Sequence, residues 1–116
     1  MLAVMREISR SELLAKIQGG EEFVLVDALA PMSFAASHLP GAVNLPPRWV
    51  EDRAAAKIPS LDAEIVVYCS GATCDSSLLT AQGLAALGYR NLFHYSGGKE
   101  DWVAAGLPLE GGRVGT

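Results

Sequence analysis

The amino-acid sequence predicts an α/β fold in which a mostly parallel sheet lies between helices on both faces. Short apolar runs alternate along the chain with helix-like stretches, the order that right-handed β–α–β crossovers produce. Two of these runs, residues 23–26 and 65–68, are continuous and rich in β-branched side chains, as in strands buried on both faces. With 116 residues, half of them hydrophobic, the chain has the size of a single domain, expected over residues 1–116.

The first strand and the first helix are predicted near the amino terminus. Residues 3–8 suit a short edge strand. Ser9 and Glu12 follow with the spacing of a capping box, in which each side chain accepts a hydrogen bond from the backbone amide of the other residue. An apolar helical face comes next, and the two glycines at positions 19–20 end the helix.

The middle of the chain adds short elements on either side of the first buried run. Asp27 lies at the carboxyl end of that run, and a proline then suits the first turn of a helix over residues 31–36. A brief strand over residues 41–45 is stopped by two prolines. A helix over residues 49–56 follows, and Pro59 marks its end.

The second buried run leads directly into Cys69 and then into a long helix predicted over residues 75–87. Gly88 is the expected stop of this helix, because glycine tolerates the left-handed conformation found there. An apolar stripe on the helix is expected to face the sheet and to consist of Leu78, Leu79, Leu84 and Leu87.

The last elements are a strand over residues 92–95 and a closing helix over residues 99–105. The glycine-rich end, residues 110–116, is expected to be a flexible tail. In open parallel sheets the chemistry takes place beyond the carboxyl ends of the strands. Asp27 and Cys69 are both predicted at such ends, which makes them the first candidates for function.

Charge and composition exclude several classes of function. The net charge is −4 and the basic residues are scattered, whereas nucleic acids and anionic membranes require a basic surface. No apolar stretch approaches the roughly 20 residues of a membrane span, and the apolar residues 1–5 are too short for a signal sequence. We therefore expect a soluble, cytoplasmic protein without nucleic-acid or membrane partners; its oligomeric state is left open.

The cysteine content favours working thiols over a disulfide scaffold or a metal site. Cys69 and Cys74 lie in one segment, whereas a secreted scaffold spreads a larger number of cysteines along the chain. Two thiols are too few for a structural zinc site, and His38 and His94 are distant in sequence. We expect no bound metal.

The loop after Cys69 is the most informative part of the sequence. A cysteine leaves a buried strand, small residues follow, and a helix begins, so that backbone N–H groups and the helix start can surround the sulfur. Such a field lowers the pKa of a thiol and favours the reactive thiolate; the alternative is a small, inert residue that closes the strand. We expect Cys69 to be catalytic and the substrate to be held by Ser70, Gly71, Ala72, Thr73, Cys74 and Asp75.

Three separated motifs occur in a characteristic order: Val-Leu-Val-Asp at 24–27, His-Leu-Pro-Gly-Ala-Val-Asn-Leu-Pro at 38–46, and Tyr-Cys at 68–69 followed by 87–89, 97–98 and 102–108. Together they resemble the rhodanese-like family of single-domain sulfurtransferases over nearly the whole chain. The resemblance implies a three-layer α/β fold with a five-stranded, mostly parallel sheet. It also implies that Cys69 carries sulfane sulfur as a persulfide and needs no cofactor.

The chain departs from the family pattern at two positions. Family members typically have an arginine five residues after the cysteine, and many have another after the strand aspartate, where this chain has Cys74 and Leu29. Without these cations, and with Asp75 adding repulsion, we expect thiosulfate to be a poor donor. A small-molecule or protein persulfide donor and a thiol acceptor fit better. Arg48, just after the second proline of the turn, is the candidate substitute cation.

The residues around the motif leave several roles open. Cys74 is either a resolving thiol that attacks the persulfide of Cys69 or an idle residue at the helix start. Asp27 is expected to position the active loop, and a role as a base is the alternative. His38 is expected to hold its own turn and His94 to be a satisfied half-buried histidine, although a Cys–His dyad stays possible. Trp49 and Trp102 are expected to be core or cover residues.

The residues around Cys69 also bear on three alternative functions. A cysteine phosphatase requires an arginine six residues after the cysteine, and Asp75 at that position would repel phosphate. A thioredoxin-like enzyme requires two cysteines separated by two residues, a spacing that Cys69 and Cys74 exceed. A binding or redox-sensing module that uses this cysteine pair remains the main alternative to sulfur transfer, because the loop arginines are missing.

Overall fold

The computed structural model describes residues 5–111 and contains one sheet of five strands. Every neighbouring pair is parallel, and the strand order is β1-β5-β4-β2-β3. The strands are β1 (Arg6–Glu7), β2 (Val24–Asp27), β3 (Val43–Asn44), β4 (Glu64–Tyr68) and β5 (Asn91–Tyr95). The predicted five-stranded parallel sheet is thus confirmed, with both edge strands reduced to two residues.

In the described residues four α-helices connect the strands and a fifth follows β5: α1 (Arg10–Gln18), α2 (Pro31–Ala36), α3 (Val50–Lys57), α4 (Ser76–Ala86) and α5 (Gly98–Ala104). The helix predicted over residues 49–56 begins one residue later, because Pro47–Trp49 forms a separate 3₁₀ turn. The predicted helix over residues 31–36 has the same bounds in the structure.

The sheet separates two apolar cores, so the fold has three layers. Helices α3 and α4 cover one face, and Val50, Ala54 and Leu84 pack there against β4. Helices α1 and α5 cover the other face, where Leu13 and Trp102 are buried. Side chains of a strand point alternately to its two faces, and this alternation places Cys69 in the core under α3 and α4.

The first helix begins with the predicted capping box. The hydroxyl of Ser9 accepts a hydrogen bond from the Glu12 amide at 3.1 Å, and the Glu12 carboxylate accepts one from the Ser9 amide at 2.9 Å. Such a cap stabilises a helix by about 1 kcal/mol. The helix ends at Gly19, and Gly20 has a φ of 69°.

The predicted apolar stripe of α4 is confirmed for Leu84 and wrong for its other three leucines. The buried side chains of this helix are Ser77, Thr80, Ala81 and Leu84, whereas Leu78, Leu79 and Leu87 are exposed. Two features fix this rotation of the helix. The Thr80 hydroxyl donates a hydrogen bond to the Leu45 carbonyl at 2.9 Å, and a Cβ at Gly83 would lie 3.1 Å from Val50. Small and hydroxyl side chains therefore face the sheet, and three leucines face outward.

The end of the described chain returns to the middle of the fold. Glu110 and His38 form an isolated antiparallel bridge, with backbone hydrogen bonds of 2.7 and 2.8 Å. The Trp102 indole donates a hydrogen bond to the Pro108 carbonyl at 2.8 Å. Glu110, where the sequence predicted a flexible tail to begin, is thus held in place, and residues 112–116 of that tail lie outside the described residues.

Across residues 5–111, no helix has both the length and the apolar character that a membrane crossing requires.

Candidate active site

Cys69 lies directly after β4, at the carboxyl end of a central strand, and opens the loop that leads to α4. The first residues of α5 hold this loop through backbone hydrogen bonds. The amide of Lys99 donates a hydrogen bond to the Cys69 carbonyl at 2.9 Å, and the amide of Glu100 donates one to the Ser70 carbonyl at 2.8 Å. Gly98, with a φ of 67°, makes this approach possible, because a Cβ there would lie 2.6 Å from the Cys69 carbonyl oxygen.

The six loop residues predicted to hold a substrate are close together in space. Gly71 is buried, Ser70 and Cys74 are half-buried, and Ala72, Thr73 and Asp75 are exposed. The Cys74 amide closes the loop through a hydrogen bond of 3.1 Å to the Gly71 carbonyl. Asp75 precedes the first helical residue, but its side chain does not cap the helix. Its carboxylate is therefore free to repel an anionic substrate.

The sulfur of Cys69 lies beneath the first turn of α4 and does not point into an open ring of amides. It is 3.3 Å from the carbonyl oxygen of Cys74 and 3.3 Å from the hydroxyl oxygen of Ser77. The residue as a whole is 2% exposed. A carbonyl oxygen accepts hydrogen bonds only, so this contact favours the protonated thiol.

The prediction that the loop lowers the pKa of Cys69 is wrong for this structure. Burial raises the pKa of the Cys69 thiol, and hydrogen bonding to Cys74 raises it further; hydrogen bonds from Ser77 oppose these effects. The physical reason is that desolvation disfavours a thiolate more than its few donors stabilise it.

Cys74 is the more acidic of the two thiols. Burial raises its pKa, but hydrogen bonds from the Cys69 thiol and from Ser70 and Ser76 outweigh this effect and lower the pKa of Cys74 to about 7. Both cysteines are free thiols. The structure thus contains a buried thiol and a half-exposed, acidic thiol side by side, an arrangement compatible with either reading of Cys74.

A row of polar side chains leads from Cys69 to the exposed Glu7 on the edge strand β1. The Ser77 hydroxyl lies 2.8 Å from Nε2 of His94, and Nδ1 of His94 lies 2.8 Å from Oε2 of Glu7. Ser77 and His94 are buried, while the Glu7 side chain is 62% exposed. His94 is satisfied by these contacts, as predicted, but its connection to Cys69 through Ser77 was not predicted.

Asp27 holds a different part of the fold. It is fully buried, accepts a hydrogen bond from the Tyr68 hydroxyl at 2.7 Å and accepts another from the Leu29 amide at 2.8 Å. Burial raises the pKa of its carboxyl group, and these hydrogen bonds oppose the rise. These contacts tie Asp27 to the turn after β2 and to the Tyr68 ring, and not to the loop after Cys69 that it was expected to position.

His38 and the aromatic residues have local roles, as predicted. Nδ1 of His38 lies 2.8 Å from the Phe34 carbonyl, and the two rings stack with their centroids 3.9 Å apart. Trp102 is buried in the core under α5, and Trp49 packs partly buried against the opposite core.

Lys99 is a cation that borders the loop, whereas the described structure shows no polar contact between the loop and Arg48, the candidate substitute cation. A shallow depression of ≈ 490 Å³ borders the loop, and its lining includes Ser70, Lys99 and Leu29. Arg48 is exposed in the 3₁₀ turn, and within residues 5–111 its side chain has no hydrogen bond to the loop. Leu29, where many family members have an arginine, therefore contributes an apolar wall.

Residues 9–105 match the model of the rhodanese-like domain. The chain is 38% identical over 109 residues to the HTH-type transcriptional regulator Rv0324 of Mycobacterium tuberculosis, covering 93% of this chain but only 46% of the regulator. It is 31% identical over 107 residues to a sulfurtransferase of Allochromatium vinosum, covering 91% of this chain and 95% of that protein.

The fold is similar to that of the BH2092 protein from Bacillus halodurans. The two structures superpose with a TM-score of 0.83 at 26% sequence identity, over 91% of this chain and 77% of that chain. The family match, the full-length similarity to a sulfurtransferase and the shared architecture agree with each other. The chain belongs to the rhodanese-like domain family.

Proposed function

We propose that this chain is a sulfurtransferase or sulfur carrier that forms a persulfide on Cys69. The observation that carries the proposal is the position of Cys69, a free thiol at the carboxyl end of β4 where the loop of small residues begins. Catalytic groups of open α/β sheets lie at such strand ends. The similarity to a sulfurtransferase over nearly the full length of both chains supports the same reaction.

The proposed reaction has two balanced steps. The Cys69 thiolate attacks the outer sulfur of a persulfide donor, a sulfur–sulfur bond forms to Cys69, and the donor leaves as a thiol. An acceptor thiolate then attacks the outer sulfur of the Cys69 persulfide and releases Cys69 as a thiolate. No metal or organic cofactor takes part in either step.

The charges around the loop support a persulfide donor over thiosulfate. Asp75 is exposed at the loop, and the carboxylate of Glu100 lies against Gly71, 2.6 Å from where a Cβ of that residue would be. A dianion would meet these carboxylates with Lys99 as the nearby cation. Each missing charge-assisted contact weakens binding by about 1.5–3 kcal/mol. We therefore propose a small-molecule or protein persulfide as donor and a thiol as acceptor.

The setting of this reaction is part of the proposal. We propose a reducing, cytoplasmic environment, because both cysteines are free thiols. We also propose that the domain binds neither nucleic acid nor membrane, because its net charge is −4 and its basic residues are scattered.

Intact-mass measurement tests the proposal. The protein is incubated with glutathione persulfide or with thiosulfate, and we expect an adduct of one sulfur atom from the persulfide and little or none from thiosulfate. The Cys69→Ser variant should lose the adduct, whereas the Cys74→Ser variant should keep it. An adduct that persists in Cys69→Ser would contradict the assignment of Cys69.

The second candidate function is a binding or redox-sensing module that uses the Cys69–Cys74 pair. The observation that favours it is the 38% identity to part of a transcriptional regulator, together with the absence of arginine from the loop. This candidate predicts that no donor yields an adduct and that mild oxidation joins the two cysteines. The same mass experiment, with an added peroxide sample, separates the two functions.

A further inference from the structure

A continuous row of hydrogen bonds joins the Cys69 sulfur to Ser77, His94 and Glu7. We propose that His94 takes up the thiol proton of Cys69 through the Ser77 hydroxyl, and that Glu7 holds the charged imidazole. This inference rests on the proposed sulfur transfer, because it describes how Cys69 becomes the nucleophile.

The parallel register of the sheet creates this row. Val67 of β4 pairs with His94 of β5, and Glu7 of β1 also pairs with His94. Paired residues of neighbouring strands point to the same face, so all three side chains lie on the face that Cys69, two residues after Val67, also occupies. Helix α4 covers this face and places Ser77 between the sulfur and the imidazole.

The hydrogen-bond donors and acceptors along the row allow a proton to move from Cys69 through Ser77 to His94. The Glu7 carboxylate accepts a hydrogen bond only, so Nδ1 of His94 carries the proton and Nε2 is left as an acceptor. The Ser77 hydroxyl then donates to Nε2, and its oxygen is available to accept from the Cys69 thiol. The single thiol proton has two acceptors at 3.3 Å, the Ser77 oxygen and the Cys74 carbonyl oxygen, and only the first leads to His94. The carboxylate–histidine pair thus fixes the tautomer that a base requires.

The proton transfer balances without any other reactant. The Cys69 S–H bond breaks and its proton moves to the Ser77 oxygen, while the Ser77 proton moves to Nε2 of His94. Cys69 becomes a thiolate, Ser77 stays neutral, and His94 becomes an imidazolium paired with the Glu7 carboxylate. No electrons are exchanged.

Few charged or titratable groups face His94 in the described part of the chain. From β1, Glu7 faces the imidazole, whereas the Arg6 guanidinium lies on the other face, 4.8 Å from the Phe93 ring centroid. Helix α4 has no charged side chain between Ser76 and Ala86. From the loop, the Cys74 thiol lies beside the sulfur of Cys69. The buried thiol therefore has a base within its own hydrogen-bond network, which burial alone would deny it.

The rate of Cys69 alkylation by iodoacetamide against pH tests the proposal. The experiment uses a Cys74→Ser background, so that only one thiol reacts. Ser77→Ala and His94→Asn should each lower the rate at pH 7 by about tenfold or more and move the rise of the profile to higher pH. Glu7→Gln, which keeps an acceptor for Nδ1 but removes its charge, should have a smaller effect.

The matched control is Thr80→Ala, which removes another buried hydroxyl of α4 with no hydrogen bond to the sulfur. It should leave the pH profile unchanged even if it lowers stability. His94 does not touch the sulfur, so a purely structural role predicts the same profile for folded His94→Asn and for the parent. That result, with circular dichroism showing an intact fold, would overturn the relay.

Alkylation also keeps the two proposals distinguishable. It reports the state of the thiol without any sulfur donor, so an absent persulfide adduct would contradict the proposed function and leave the relay to be decided by the pH profiles. A normal adduct combined with unchanged profiles in the Ser77 and His94 variants would contradict the relay alone.

Discussion

The hydroxyl oxygen of Ser77 lies 3.3 Å from the sulfur of Cys69, although eight residues separate them. The contact exists because α4 begins at Ser76 and places its first turn directly over the end of β4. The first turn of α4 therefore covers one side of the sulfur, and the loop of small residues lies on another side. Its environment is set by one helical turn as much as by the loop.

The role of Cys74 can be decided by the lifetime of the persulfide. If the Cys74 thiolate attacks Sγ of the Cys69 persulfide, a Cys69–Cys74 disulfide forms and the outer sulfur leaves as hydrosulfide. Cys74→Ser should then lengthen the lifetime of the mass adduct at pH 8 several-fold. The physical basis is the lowered pKa of Cys74, about 7 in the protein with both thiols free, because a lowered pKa favours the nucleophilic thiolate. Time-resolved intact mass measures the decay, with Thr80→Ala as control, because its hydroxyl bonds to the Leu45 carbonyl and not to either cysteine. An equal lifetime in Cys74→Ser would show an idle thiol.

The rotation of α4 predicts a large loss of stability for truncation of one of its leucines and a small one for another. Leu84 is fully buried, so Leu84→Ala should lower the free energy of unfolding by about 2–5 kcal/mol. Leu79 is 52% exposed, and Leu79→Ala should change this free energy by about 0.5 kcal/mol or less. Urea denaturation measures both. Comparable losses in the two variants would restore the leucine stripe that the sequence suggested.

Gly98 and Gly106 form a natural pair for testing how α5 supports the loop. Both have positive φ, but a Cβ at Gly98 would lie 2.6 Å from the Cys69 carbonyl oxygen, whereas a Cβ at Gly106 meets nothing within 4 Å. Gly106→Ala should cost only the backbone strain of about 1–2 kcal/mol. Gly98→Ala should cost more and also slow Cys69 alkylation. An alkylation rate unchanged by Gly98→Ala would show that the loop does not depend on this contact.

Asp27 predicts a pH dependence of stability. Burial raises the pKa of its carboxyl group in the folded protein, so the folded protein binds this proton more tightly than the unfolded chain does. The contribution of Asp27 to stability should therefore be greatest at acidic pH and decrease as the pH rises through the raised pKa. Urea denaturation of the wild type and of Asp27→Asn between pH 4 and pH 8, in roughly unit steps, measures it. The stability of the wild type relative to Asp27→Asn should fall across this range, and a constant difference would contradict the prediction.

The sequence was sufficient for the fold because its signals are local. The buried run before Cys69, the capping box of Ser9 and Glu12, and the glycines after the helices each act within a few residues. Alternation of such elements leaves few possible topologies for a parallel sheet. The bounds of strands and helices therefore differ from the predictions by only a few residues.

The relay residues could not be found in the same way. Glu7 and His94 are 87 residues apart in sequence, and only the register of β1 against β5 brings them together. A signal was nonetheless present. His94 occupies the same side of its strand as Leu92, which predicts a histidine in the core and therefore one that needs partners.

The rotation of α4 was mispredicted because hydrophobicity alone does not decide which side of a helix is buried. Thr80 and Gly83 face inward, since a hydrogen bond to Leu45 and close packing against Val50 require a hydroxyl and a small residue there. The leucines that face outward carry no comparable constraint. The prediction of a lowered pKa for Cys69 was wrong for a related reason. The inward side of α4 places Ser77 against the sulfur and buries it, and burial raises the pKa.

The exposed side chain of Glu7 on the two-residue edge strand has a consequence for how the domain meets other molecules. Strand β5 separates β1 from β4, and Glu7 is not among the residues around the depression beside Ser70. If the relay operates, the thiol proton exchanges with water at Glu7 on the edge strand, whereas the sulfur is transferred at the loop beside the depression. A partner protein bound over the depression would leave Glu7 exposed to water. Sulfur could then be transferred inside the complex without solvent reaching Cys69 itself.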